Sequence, residues 1–453
     1  MDQRGLPMKN IPIKQIARHL GVVSDEDIQV IGYQIDSRSV LPGELFFALK
    51  GEKTDGHQFL KEVKERGGIG AIVSKGYSGP TFDLALIAVE DVLDSLQELA
   101  RYSLQNSSVQ VVGITGSVGK TTAKEFTATL LEGKFRVGKS RSSYNTKLTL
   151  PLTLLNRTGD EEVMVLEMGM SEPGDIGKLV EIAPPDIALI TKISLAHAAF
   201  FPGGFRDIAK GKGEIFSKPK TKAVIFDHGF YEFSEEIEKI KGAKISFSLT
   251  ERSSDYFLSF HEKQWIVDER GIRAYQFDVP FQQPHILHNF LGAVSVARQM
   301  KMEWDEINRQ IGKLQLPKMR FEQFERGGIS FINDAYNANP ESMRAALSSL
   351  PMPKEGGKRI AVLGTMKELG TFSENAHREV GKLAQRCIDH LLVLGDEATP
   401  LCDAFTEVKK PGECFVDHKS LAERLTALMS PGDVVLVKGS RSMRMETIFD
   451  LLR

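Results

Sequence analysis

Cysteine is scarce in this sequence: three residues in 453, Cys387, Cys402 and Cys414, all near the C-terminus. An odd number with no paired spacing excludes a disulfide-stapled scaffold, does not resemble a zinc site, and fits a reducing compartment. Long apolar runs are missing as well. No uncharged stretch reaches the ~18 residues that suggest a membrane-spanning helix. The opening MDQRGLPMKNIPIKQIARHL has no apolar segment of the kind a secretory leader carries. A cytoplasmic protein without membrane insertion is the expectation. An excess of one charge sign is lacking too: 58 Lys and Arg stand against 60 Asp and Glu, a formal net charge of −2. No global field then favours nucleic acid or an anionic lipid surface, and nucleic acid is not expected as a partner. Any polyanion has to be held by a local arrangement of groups.

What is there is an ordinary globular balance, 41% hydrophobic and 26% charged residues. The length exceeds what one hydrophobic core accommodates, so about three domains of ~100–200 residues are expected. In residues 1–105 short apolar runs (LFFALK, GAIVSK, LALIAV) alternate with glycine-bearing turns and helical stretches, which suggests a small α/β domain. Residues 106–313 carry buried-type strands at VQVVGIT, VMVLEMGM and DIALITKIS, and close on the helix-period segment HILHNFLGAVSVARQM. Continuous apolar runs alternating with helices imply a parallel sheet covered on both faces. In residues 314–453 the strands ISFIND, RIAVLGT, HLLVLGD and DVVLVKG alternate with helices, as in a Rossmann-like doubly wound domain.

The segment GITGSVGKTT begins the second block and fits a phosphate-binding loop, through Gly113 or, in a tighter variant, through Gly116 and Gly119. Glycines let backbone N–H groups turn inward around phosphate oxygens, and the following helix N-terminus adds a favourable dipole. Thr115, Gly116, Ser117, Val118, Gly119, Lys120, Thr121 and Thr122 are the expected nucleotide-binding residues. Lys120 can reach the β- and γ-phosphates, and the Thr121 hydroxyl can ligate magnesium. The strand before the loop and the helix after it make the central sheet P-loop NTPase-like. Such a loop names no reaction, since kinases, GTPases, transport ATPases and ligases all use one.

Glu167 follows the apolar run VMVL, and His197 lies just past DIALITKIS. In open parallel sheets ligands bind at the carboxyl ends of strands, so both are candidate magnesium ligands. By itself, His197 reads as an ordinary loop histidine. Lys210 and Lys212, in IAKGKGEIF, read by themselves as a solvated basic face.

Together these segments resemble the Mur ligase family, and the resemblance covers nearly the whole chain. DSRSVLPGELFFALKGEKTDGHQF (Asp36 to Phe59) is similar to the family's UDP-binding segment. NTKLTLPLTLL, EMG, KGEIF and HILHNFLGA are similar to its central segments. NDAYNANPESMRAAL, GTMKELG and VKGSRSMRME resemble the branch that adds D-alanyl-D-alanine. The DNPR-type motif of the lysine- and diaminopimelate-adding branches is absent. Folylpolyglutamate synthases share the loop and the modified lysine, but not YNANP or KGSRSMRME.

The resemblance implies ATP-dependent ligation of D-alanyl-D-alanine to UDP-N-acetylmuramoyl-tripeptide through an acyl phosphate. It implies two Mg2+ ions held by Thr121, Glu167, His197 and a carbon dioxide-derived carbamate on Lys212. Lys120, Glu167, His197 and Lys212 would then be the catalytic set. Ser37 and Arg38 would sit near the uridine diphosphate or sugar, and Asn145 matches a family asparagine on the substrate side. Asn289 would read adenine, and Arg320 and Asp334 would approach the phosphate–ribose region. Asn337, Lys438, Ser440 and Arg441 would help place the dipeptide. A monomer that closes on ATP and precursor is expected. The chain departs from the family pattern at Asn333 (usually Asp), Lys192 (usually Asn), Thr146 and Thr149 (usually Asn and Gly) and Ile286 (usually Asn). A sister ligase with another amino-acid acceptor, and a nucleotide-binding homologue without chemistry, are the alternatives.

Overall fold

In the computed structural model the described residues are 8–52, 54–105, 107–195, 198–354 and 356–452. Among them the chain builds three main sheets in sequence order, and a two-residue antiparallel pairing of Ile11–Pro12 with Gln29–Val30.

The first main sheet has four parallel strands in the order Gly32–Gln34, Glu44–Phe47, Gly70–Ser74 and Ala85–Val89. Three of them are the apolar runs of the first block. Helix Val92–Gln105 leaves this sheet with Leu96, Leu99 and Ala100 buried. Those side chains share one apolar cluster with Leu150, Leu154 and Leu155 of helix Thr149–Leu155 and with Leu166 of the next sheet. The N-terminal unit is thus welded to the central one by a continuous dry core, the strongest non-directional force available.

The central sheet has nine strands: Ile272–Phe277, Gln264–Glu269, Tyr256–His261, Ala243–Ser248, Ala223–Asp227, Ile187–Ile190, Gln110–Thr115, Val163–Glu167 and Val137–Lys139, in spatial order. From Tyr256–His261 to Val137–Lys139 all pairings are parallel. The other end is an antiparallel meander, which the apolar-run pattern does not reveal. Its hairpins turn at Glu262–Lys263 (φ 50 and 68°) and Arg270–Gly271 (φ 51 and 78°). Two consecutive left-handed residues are the geometry that matches strand twist in a tight hairpin.

The third sheet runs Glu322–Arg326, Ile329–Asn333, Val434–Lys438, Arg359–Gly364, His390–Leu394, Gly412–Phe415. It is parallel except for its first strand. The carboxyl ends of the central strands (Glu167, Asp227, Ser248) and of the third-sheet strands (Asp334, Lys438) line one shared cavity. That juxtaposition of two switch-point regions positions the site.

Candidate functional site

The strand Gln110–Thr115 delivers the chain into Gly116, and helix Lys120–Leu131 starts directly after Gly119. Both glycines are dictated by close approach. A Cβ on Gly116 (φ +147°) would lie 1.9 Å from Thr191 Oγ1, and one on Gly119 (φ +84°) 2.1 Å from Asn289 Oδ1. The loop is fastened to the neighbouring strand: Ser117 N donates to Lys192 O at 2.7 Å, Ser117 Oγ to Ser194 O at 2.8 Å, and Thr191 Oγ1 to Val118 O at 2.5 Å. Thr115, fully buried, accepts the Thr191 N–H on its carbonyl at 2.9 Å. Lys120 folds back over the loop and donates to Gly116 O at 2.9 Å. Loss of hydration holds its ammonium below the usual lysine range; the Glu167 charge opposes this and the Arg320 charge adds to it. A desolvated cation folded over a glycine loop at a helix N-terminus is suited to hold phosphate.

Beside it, Thr121 Oγ1 donates to Glu167 Oε2 at 2.9 Å, and Asn145 Nδ2 donates to Glu167 Oε1 at 2.7 Å. Glu167 is 1% exposed. Arg320, from the segment entering the third sheet, donates through Nη2 to Thr121 Oγ1 at 3.1 Å, and its guanidinium stacks 3.9 Å over the Tyr336 ring. Among the described residues no three His, Cys, Asp or Glu side chains gather at metal-binding distance. The donors present are one hydroxyl and one buried carboxylate at the edge of a phosphate cradle. That set fits magnesium, which takes one or two protein oxygens and fills its octahedron with phosphate oxygens and water.

Lys210 and Lys212 part company in the structure. On helix Phe205–Gly213, Lys210 is exposed, whereas Lys212 is 2% exposed. The solvated basic face therefore holds for Lys210 alone. Burial, with the nearby Lys120 charge, drives the Lys212 amine well below the usual lysine range. Both effects favour the unprotonated, nucleophilic form of the amine. His197 lies outside the described residues.

From the third sheet, Lys438 (2% exposed) donates to Asp334 Oδ2 at 2.6 Å and to Asn337 O at 2.9 Å. Asp334 Oδ1 also accepts from Phe321 N at 3.1 Å. Ser440 is buried, its Oγ accepting from Lys367 N at 2.8 Å, while Arg441 reaches Glu446 at 2.7 Å. The cavity of about 1110 Å³ is lined by Ser117 to Thr122, Asn145, Glu167, Asn289, Arg320, Asp334, Asn337, Lys438 and Arg441. Thr115, Gly116, Lys212 and Ser440 stand behind its wall, and Ser37 and Arg38 lie on the first sheet's side. Ser37 donates to Glu62 at 2.7 Å, and exposed Arg38 pairs with Asp36 at 2.7 Å.

The departures acquire physical reasons. Asn333 presents its amide to Glu322 Oε2 at 3.4 Å, where an aspartate would set two carboxylates against each other. Lys192 crosses to Glu341 of the third domain at 2.6 Å. Thr146 and Thr149 bond hydroxyl to hydroxyl at 3.0 Å at the start of helix Thr149–Leu155. Ile286 is 2% exposed in the core.

Several lining residues escape the motif reading. Asp227 ends an apolar strand just as Glu167 does, and its Oδ2 meets His288 Nε2 at 2.8 Å. The strand-end argument applied to AVIFD would have found it. His285 lines the cavity edge-on to Phe321, and nothing in the sequence marks it.

Comparison with known proteins completes the description. Three family profiles match in chain order: Mur ligase family, catalytic domain, at residues 29–103; Mur ligase middle domain at 114–297; and Mur ligase, glutamate ligase domain, at 319–441. The UDP-N-acetylmuramoyl-tripeptide--D-alanyl-D-alanine ligase of Bacillus subtilis (strain 168) is 32% identical over 430 residues, 93% of either chain. The crystal structure of MurF from Acinetobacter baumannii superposes with a TM-score of 0.85 at 27% identity, over 98% of this chain and 99% of that one. MurF ligase from Thermotoga maritima, in complex with ADP, superposes with a TM-score of 0.78 at 31% identity, over 93% of this chain and 96% of that one.

Proposed function

The chain belongs to the Mur ligase family, and from that premise we infer its reaction. It is an ATP-dependent amide-forming ligase that joins D-alanyl-D-alanine to UDP-N-acetylmuramoyl-tripeptide, yielding the pentapeptide precursor of peptidoglycan. The observation that carries this is the end-to-end likeness to enzymes so named, through all three domains rather than the nucleotide loop alone.

An ionised carboxylate is a poor electrophile, so amide formation in water needs activation. The γ-phosphoryl of ATP passes to the tripeptide's terminal carboxylate, giving ADP and an acyl phosphate. The free amine of D-alanyl-D-alanine attacks the acyl carbon, the C–O bond to phosphate breaks, and the amine gives up its proton as phosphate leaves. Positioning and charge neutralisation supply most of the rate in such transfers. Lys120 neutralises the transferring phosphoryl, and the loop Thr115 to Thr122, with the start of helix Lys120–Leu131, holds the phosphates. Bound magnesium, two ions held by Thr121, Glu167, His197 and a carbamate on Lys212, would neutralise charge on the phosphate oxygens. The carbamate reading is supported by the buried, neutral-leaning amine of Lys212, since only an unprotonated amine captures carbon dioxide.

Asn289 contacts adenine, and Arg320 and Asp334 address the ribose and phosphates from the third domain. Asn145, Asn337, Lys438, Ser440 and Arg441 orient the peptide substrates, and Ser37 and Arg38 face the uridine diphosphate. The division of labour is residues 1–105 for the nucleotide-linked precursor, 106–313 for ATP and 314–453 for the dipeptide. The enzyme works as a monomer in the cytoplasm, the compartment that supplies ATP and keeps its three cysteines reduced.

The deciding experiment is phosphate release with ATP, magnesium and UDP-N-acetylmuramoyl-tripeptide, with and without D-alanyl-D-alanine. Strong dependence on the dipeptide, with one amide product by mass, is expected. Release that responds instead to a single amino acid would reassign the chain to a sister ligase.

A further inference from the structure

We propose that Lys124, one turn into the helix after the phosphate loop, is a positioning residue for the magnesium-binding pair Thr121–Glu167. This rests on the reading of that pair given above.

Lys124 is completely buried. Its ammonium has three donors, and three acceptors meet it: Ser140 O at 2.6 Å, Ser142 O at 2.5 Å and Glu125 Oε1 at 2.9 Å. Glu125 is in turn tied to Lys139 at 2.6 Å. The two carbonyls belong to segment 140–145, which crosses from the strand Val137–Lys139 toward helix Thr149–Leu155. Ser142 holds φ +49°, a left-handed conformation that an L-residue other than glycine adopts at a penalty. The charge-assisted bond to its carbonyl offsets that penalty.

The segment thus stapled delivers its polar groups to one place. Ser140 Oγ accepts the Glu167 N–H at 3.2 Å, Ser143 Oγ lies 3.3 Å from Thr121 Oγ1, and Asn145 Nδ2 donates to Glu167 Oε1 at 2.7 Å. Asn145 O also accepts from Gly169 N at 2.9 Å, just past the glutamate. The carboxylate orientation is therefore set by a loop whose own shape is set by one buried cation. Lys124 is not among the residues that line the cavity; it acts through the loop. Groups behind metal ligands commonly govern metal affinity by about 10- to 100-fold, and that is the size of effect assigned here.

The test is ADP binding by calorimetry across a magnesium titration, on the full chain and its variants. Lys124→Met removes all three donors. It is expected to raise the half-saturating magnesium concentration about 10- to 100-fold, while ADP affinity without magnesium stays within about twofold of wild type. Adding Ser142→Gly, which takes the left-handed conformation freely, should recover part of the loss. A purely structural lysine would instead lower the melting temperature and leave magnesium dependence untouched, with no rescue by glycine. Glu167→Gln is the control. If it shifts the magnesium dependence and Lys124→Met does not, the positioning role is wrong. If neither shifts it, Thr121–Glu167 is not the metal pair, and the proposal falls with its premise. Should Lys124→Met fail to fold, Lys124→Gln, which keeps an amide donor, decides by the same comparison with a smaller shift.

Discussion

Burial separates two lysines that, by local composition alone, read as one basic face. Lys210 faces water, while Lys212, two residues on, is enclosed and driven toward neutrality by lost hydration and the Lys120 charge. Lys212→Ala is therefore expected to keep the fold, because it removes a desolvated amine rather than a packed apolar group, and to reduce turnover about 100-fold or more. Phosphate release together with a thermal melt checks both halves; a variant turning over at the normal rate would mean the modified-lysine assignment is wrong. A second residue sets a pH dependence. His285 is held down to about 4, chiefly by burial, with Asp334 opposing and Lys438 and His288 assisting. The unfolded chain takes up the corresponding proton near 6.5. Between those values the unfolded state binds more protons, so stability falls as pH drops from about 6.5 to about 4 and flattens below. The contribution is up to about 3 kcal/mol. His285→Gln should make the denaturation midpoint flatter across that window, and an unchanged pH profile would remove His285 from the account. Motif spelling exposes residues such as Lys120 and Glu167, whose chemistry dictates their place. It does not expose Lys124 or His285, whose behaviour comes from what is packed around them, and Lys212 stands out only through the resemblance of KGEIF to a family segment.

At the scale of elements, the phosphate loop shows how little freedom its glycines have. Gly119 sits at φ +84° with Asn289 Oδ1 where a Cβ would go, so the loop and helix Pro284–Gln299 are in direct contact. Gly119→Ala must both leave the left-handed region or pay about 1–2 kcal/mol and push Asn289 aside. Nucleotide affinity should fall about tenfold or more, measurable by ADP titration, with little change in binding of the UDP-linked precursor. Equal loss for both ligands would point to general unfolding instead. The parallel strands were legible because strands buried on both faces read as unbroken apolar runs: VQVVGIT, VMVLE and DIALI all became neighbours in the central sheet. The meander Tyr256–Phe277 was not. Its strands are only partly buried and mix polar with apolar residues, and its first turn, Glu262–Lys263, carries none of the Asn-Gly or Asp-Gly spelling that marks a tight hairpin. The antiparallel strand Glu322–Arg326 is hidden for a related reason, being half exposed with one apolar residue, Phe324, among four polar ones.

Across the whole molecule, the cavity is complete only because the third domain is seated on the central one. Beside a shared apolar core, the polar contacts across that seam include Arg320 on Thr121, Ala199 N on Glu368 O at 3.2 Å, and Lys192 on Glu341. The first belongs to the nucleotide site and the second to backbone packing. The third is made by the Lys192 side chain, and the Lys192 carbonyl also anchors Ser117 of the phosphate loop. Lys192 and Glu341 are 45% and 24% exposed, so solvent screens them and the pair is worth about 0.2–1 kcal/mol. That suffices to bias a domain equilibrium about 1.4- to 5-fold, not to lock it. Small-angle scattering should therefore show compaction as ATP and precursor are added, with a midpoint about 1.4- to 5-fold higher in ligand for Lys192→Asn than for wild type at low salt. Glu341→Gln should give the same shift, and the double variant no more than either, because both remove one interaction. Raising ionic strength to about 1 M, where the Debye length is about 3 Å, should bring wild type toward the variants. Additive shifts in the double variant would show that the two side chains act separately. No compaction with both ligands would show that the domains are already seated before substrate arrives, and closure would then contribute nothing to keeping water from the acyl phosphate.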